Sequence, residues 1–127
     1  GDFSEEEKIG YLVELTGVFP FNKVMKPEIY SQLKEASIPA IANYHHNSCE
    51  VVWFIPRKVV PKKTKNGKSY WIIEVIDDTN TLTKIRCWGV QSHDRIYVNK
   101  PYMAKLEHNE KWGFSTRSLR RNFRILV

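Results

Sequence analysis

Lys62-Lys63-Thr64-Lys65-Asn66-Gly67-Lys68 runs directly into Ser69-Tyr70-Trp71-Ile72-Ile73-Glu74-Val75-Ile76-Asp77-Asp78-Thr79-Asn80, and a second strand-like run, Thr81 to Trp88, follows at once. The order is a basic loop, a strand, a tight acidic turn and another strand carrying Lys84 and Arg86. Asn66-Gly67 and Asp78-Thr79-Asn80 are turn sequences, and the residues between them alternate with the period of two that strands require. Alternation assigns the faces. Trp71, Ile73, Val75 and Asp77 form the set directed into a core, which leaves Tyr70 and Ile72 outside. The same logic places Ile85 and Cys87 inside, with Lys84, Arg86 and Trp88 outside. Positive charge beside exposed aromatics on paired strands makes a surface suited to single-stranded nucleic acid. The charges hold phosphates, and the rings give bases a flat face to stack on.

Working outward, the period of two continues on both sides. Strands are predicted at 49–60, 69–77, 81–89, 101–107 and 111–126, the last left open to a break. Asn99-Lys100-Pro101 and His108-Asn109-Glu110 separate the later ones. Five short strands in this span predict a small barrel, because closure removes the edges an open sheet would expose. Before them the period is helical. Ser4-Glu5-Glu6-Glu7 fits a capping box, Ile9, Leu12, Val13 and Thr16 share a face, and Gly17 is a stop, so 4–17 is predicted as a helix. Pro27 to Ala36 is predicted as a second, with Pro at its first turn and Ile29, Leu33 and Ala36 on one stripe. The predicted fold is therefore mainly β, a five-stranded barrel with a small N-terminal two-helix segment. The helical segment takes residues 1–46 and the barrel residues 47–127.

The 127 residues are 42% hydrophobic and 13% aromatic, which suits a folded domain. The net charge is +6, and its placement is uneven. Residues 1–50 hold eight acids against four lysines, and residues 51–127 hold sixteen bases against six acids. A polyanionic partner accounts for that asymmetry better than a merely solvated basic face, since the bases cluster at loops flanked by aromatics. No apolar run approaches a membrane span and no signal peptide opens the chain, so no membrane partner is expected. Cys49 and Cys87 are expected as reduced, packed thiols, which points to a cytoplasmic location. The opening Gly1-Asp2-Phe3, without Met, and the strand-like ending Phe123-Arg124-Ile125-Leu126-Val127 give the expectation that this is a piece of a larger protein.

Two features carry a resemblance. The barrel segment, with its basic loop ending Lys65-Asn66-Gly67-Lys68 and the Asp78-Thr79-Asn80 turn, resembles an OB-fold. The first helix carries Glu7-Lys8-Ile9, then Glu14-Leu15, then Gly17-Val18-Phe19. That pattern is similar to the one before the OB domain of family-C replicative DNA polymerases, the bacterial DNA polymerase III alpha subunit and its phage relatives. The resemblance covers nearly the whole chain. Pro20-Phe21-Asn22-Lys23 and Asn80 depart from the family pattern and suggest a divergent member, such as a phage enzyme acting in its host's cytoplasm. The resemblance implies a single-stranded DNA-binding domain that contacts the template. It also implies, as partners, the remaining domains of a polymerase chain and other replisome proteins. The catalytic carboxylates of such a DNA-directed DNA polymerase lie in a palm domain outside this chain.

On this reading the nucleic-acid contacts are Lys62, Lys63, Lys65, Lys68, Tyr70, Ile72, Lys84, Arg86, Trp88, Lys111 and Trp112. Core and surface roles both remain open for Trp112 and Phe114. Arg117, Arg120 and Arg121 follow as a further basic cluster. No catalytic residue, metal ligand or cofactor is expected within the fragment. His45-His46 and Cys49 are zinc-capable but lack a spaced fourth partner. Asp77 and Asp78 are neighbours that a strand would point to opposite faces, so they read as turn residues. No nucleophile constellation, P-loop or dinucleotide fingerprint occurs. Two other functions fit a barrel of this kind: an RNA- or tRNA-binding OB module, and a protein-docking OB domain for an acidic partner.

Overall fold

The computed structural model describes residues 19–44 and 50–126. The predicted helix 4–17, with the Glu7-Lys8-Ile9 pattern, lies outside them, as do His45, His46 and Cys49. Two short helices come first, α1 (Phe21–Val24) and α2 (Pro27–Glu35), then a 3-10 turn at Ile41–Asn43. Six strands follow: β1 (Glu50–Lys63), β2 (Ser69–Ile76), β3 (Thr83–Trp88), β4 (Tyr102–Asn109), β5 (Gly113–Thr116) and β6 (Phe123–Ile125). A helical turn, α3 (Leu119–Asn122), sits between β5 and β6.

The expected five-stranded OB-fold barrel is corrected. The strands form a six-stranded mixed sheet in the order β1-β2-β3-β5-β4-β6, with β1 also pairing β4. β3 and β5 run parallel, and the other pairs are antiparallel. The ladders fall into two groups. Residues 50–54 of β1 pair with the first part of β4, whose far side takes β6. Residues 55–63 of β1 pair with β2, and the end of β4 pairs with β5. The order ends at β6, which pairs only with β4 among the described residues. The last predicted strand, 111–126, fails as one element because Ser118 caps a new helical turn by accepting from the Arg121 N–H at 3.3 Å. The chain then turns and returns along β4.

β1 explains why its stretch Val52-Trp53-Phe54-Ile55 does not alternate. Val52 and Phe54 are fully buried in the main core with Ile73, Val75, Ile85, Cys87 and Leu106. Trp53, on the opposite face, is covered by Met25, Ile29 and Leu33, and Ile55 by Phe19 and Ile76. A strand buried on both sides reads as a continuous apolar run. The register shifts between Pro56 and Lys58, so a bulge accommodates the proline inside the ladder. α2 shows two members of the expected stripe, Ile29 and Leu33, buried and Pro27 at its first turn, whereas Ala36 is the C-cap and is exposed.

The β2–β3 turn is tied down by Asp77, which is 1% exposed. Its carboxylate accepts from the Ala42 N–H at 2.8 Å, the Thr79 N–H at 2.9 Å and the Thr79 hydroxyl at 2.6 Å. A buried carboxylate needs such donors, and here they lock the 3-10 turn to the sheet. Asp78 instead accepts from the Tyr30 hydroxyl at 2.7 Å, and that bond is the main reason the Tyr30 phenol is pushed above its ordinary pKa. Asn80 closes the turn at φ 62°, a conformation Asn tolerates better than most residues.

Candidate nucleic-acid interface

Directly paired residues in adjacent strands share a face, so the ladder registers sort the outer surface into rows. One row is Lys62, Tyr70 and Trp88. The next is Val60, Ile72, Arg86, Ser115 and Glu107. A further row is Lys58, Glu74 and Lys84. Rows lie about 6.6 Å apart, two residues along a strand.

The aromatic row is built locally. The 64–68 loop is closed by Thr64, whose N–H donates to the Lys68 carbonyl at 2.9 Å and whose hydroxyl accepts from the Lys68 N–H at 3.1 Å. Gly67 supplies the positive φ of 82° that this tight return requires. Lys68 is thereby held with its ammonium 5.1 Å from the centre of the Trp88 ring. Tyr70 stacks on Trp88 from the neighbouring strand, centroids 4.3 Å apart and planes at 27°. The pair is a preformed aromatic surface with a cation over it.

Trp112 makes a second platform in the turn between β4 and β5. The Asn109 side chain shapes that turn by accepting from the Lys111 and Trp112 N–H groups at 2.8 and 3.2 Å. Trp112 is 59% exposed, while Phe114 is buried, which settles the two residues the sequence left open. Arg86 lies 5.3 Å from the Trp112 centroid and Lys111 lies 5.1 Å from it. An exposed indole, Trp112, and a half-buried one, Trp88, each with a cation beside it, therefore share one side of the sheet.

The structure brings Lys68, Tyr70, Arg86, Trp88, Lys111 and Trp112 together. Ile72 lies one row from Tyr70, opposite Arg86. Lys62 and Lys63 are not in the loop but end β1, paired with Tyr70 and Ser69. Adjacent strand residues point to opposite faces, so Lys62 shares the aromatic side and Lys63 starts from the other. Lys65 stays at the exposed loop tip. Lys84 sits a row beyond Arg86, opposite Glu74, whose charge offsets it.

Sequence reasoning missed the groove beside the aromatic row. It has a volume of about 610 Å³ and is lined by Thr64, Asn66, Lys68, Trp88, Gly89, Glu107, Ser115 and Arg117. Gly89 is required there. Its φ is 67°, and a Cβ would stand 2.5 Å from the Arg117 carbonyl oxygen. The glycine after Trp88 was the available signal, but its partner lies 28 residues away in sequence.

Inside the sheet, Cys87 is fully buried and its thiol is pushed up to about 12, by burial first and by the charge of Asp94 second. Arg57 donates to the Asn99 side chain and lies 4.8 Å from the Phe19 centroid, and burial lowers its pKa. Neither group reaches the aromatic rows. Among the described residues no helix is long and apolar enough to cross a membrane.

No family model matches the chain, and no curated protein matches it. Among solved structures it is similar to the crystal structure of the p204 HINb domain, at 14% identity and a TM-score of 0.48. The match covers 75% of this chain and 50% of that one, so the chain spans about half the length of the solved relative.

Proposed function

We propose that this β-rich domain is a single-stranded nucleic-acid-binding module whose contact surface is the outer face of β2 and β3 with the turns at 64–68 and 110–112. The observation that carries this reading is the pair of platforms, Tyr70–Trp88 under Lys68 and Trp112 between Arg86 and Lys111. An exposed indole at Trp112 and a half-buried one at Trp88, with cations already beside them, match the stacked bases and phosphates of an unpaired strand. Lys62, Lys63 and Lys65 contribute phosphate contacts, with Lys84 at the margin and Ile72 packing between bases.

In the finer form of this reading the ligand is single-stranded DNA and the chain is part of a family-C replicative polymerase, its template passing over residues 47–127. Residues 1–46 are then the helical part, of which α2 docks on Trp53. Support comes from the Glu7-Lys8-Ile9 to Phe19 pattern and from the excess of bases after residue 50.

Titration of the intrinsic tryptophan fluorescence with oligothymidylate at several salt concentrations tests the proposal. Stacking quenches the indoles, and log K falls linearly with log salt, with a slope of about −0.7 for each phosphate neutralised. Absence of quenching at low salt overturns it.

A further inference from the structure

The groove beside Trp88 contains a residue that a simple phosphate track would exclude. Lys68, Arg117 and the polar side chains lining it are donors, but Glu107 is a carboxylate. It is exposed, and among the described residues its carboxylate makes no hydrogen bond or ion pair. A negative charge there repels phosphates and lowers affinity for the backbone. A ligand group that donates protons reverses that penalty.

The register places Glu107 opposite Ser115, which is opposite Arg86, so all three share one row. Trp88 lies one row along and two strands across, a Cα separation of about 12 Å from the strand spacings. A base stacked on Trp88 and a glutamate side chain together span that gap. A base in that position can turn its Watson–Crick edge, the edge by which unpaired bases are commonly read, toward the carboxylate.

We infer that Glu107 is a specificity-determining residue that selects guanine at the Trp88 platform. This inference rests on the single-strand reading above. Guanine alone presents two adjacent donors on that edge, N1–H and the N2 amino group, matching the two oxygens of a carboxylate. Cytosine and adenine place a lone pair beside their amino group, which repels the carboxylate. Thymine flanks its one N–H with two carbonyls. Ser115, beside Glu107 on β5, supplies a hydroxyl that donates to guanine O6.

Three oligomers test this by fluorescence titration of the whole chain: hexathymidylate, the same strand with one central deoxyguanosine, and the same strand with deoxyinosine, which lacks the N2 amino group. The guanine strand binds about tenfold tighter than hexathymidylate, the low end expected for a bidentate base contact at an exposed site. The inosine strand falls between them. Glu107→Gln, which replaces one acceptor oxygen by a donor, removes the guanine preference and brings the guanine-to-thymine affinity ratio to about one. Equal affinity of the parent for guanine and thymine strands overturns the inference and leaves the single-strand reading standing. So does a preference that survives in Glu107→Gln. If no strand binds, both fall.

Discussion

Trp53 and Trp88 are the same side chain in opposite service. Trp53 is 3% exposed, with Phe21 and Tyr30 rings at 5.7 and 6.0 Å and the α2 stripe against it. Its area is used up in holding the helices to β1. Trp88 is half-buried, stacked on one neighbour and crossed by a lysine, and its remaining surface faces a groove. The first indole stabilises the fold by leaving water. The second keeps part of its area in water, where the proposed reading lays a base. An aromatic residue's role is thus set by what the chain lays over it, and here α2 covers one end of the sheet and leaves the other bare.

The largest effect expected is at Trp53. Trp53→Ala removes the residue that joins α2 to the sheet and lowers stability by about 3–5 kcal/mol in thermal or urea unfolding. Strand affinity, corrected for the folded fraction, stays near the parent's. If Trp53→Ala instead costs binding and leaves stability intact, the two tryptophans have been assigned the wrong way round.

Gly89→Ala touches the boundary between the two regions. The positive φ and the Arg117 carbonyl together cost about 1–3 kcal/mol of stability. The groove also deforms, so binding falls with it. A neutral result in both assays contradicts the close approach of β3 and β5 on which the groove depends.

Cys87 tests the interior electrostatically. Its native pKa is raised from an ordinary 9.0 to about 12, so the folded state keeps a proton that the unfolded chain loses. Its contribution to stability is whole below pH 9 and declines as pH rises from about 9 toward 12. The slope is at most about 1.4 kcal/mol per pH unit. Cys87→Ala flattens that part of the stability profile. A profile identical in both proteins contradicts the buried, protonated thiol.

These contrasts mark what the sequence could and could not disclose. Alternation along 70–77 and 81–88 placed Ile73, Val75, Ile85 and Cys87 inside and Tyr70 and Trp88 outside, because a half-buried strand writes its faces into its own residues. Ile76 shares Tyr70's alternation yet is buried, since Phe19, far away in sequence, lies across that end of the sheet. The apolar run at 51–55 showed a strand without showing that helices cover its second face. The expected single strand at 111–126 broke at Ser118 because a local cap competes with the ladder. Lys62 and Lys63 read as loop because charge suggests solvent, whereas an outward strand position satisfies a lysine equally well. The place of Glu107 in the groove is not legible in the sequence, since it depends on pairings with β5 and through it with β3.

The central claim is that stacking and charge act through separable residues. The measurement is the salt dependence of oligothymidylate affinity for the parent, Trp88→Ala and the combined Lys62→Ala, Lys63→Ala, Lys65→Ala variant. Trp88→Ala weakens binding by about 1–3 kcal/mol at every salt concentration and leaves the slope unchanged, because it removes a ring and no charge. The lysine variant flattens the slope by about 0.7 for each phosphate that is no longer neutralised. An unchanged affinity for Trp88→Ala, or an unchanged slope for the lysine variant, contradicts the account.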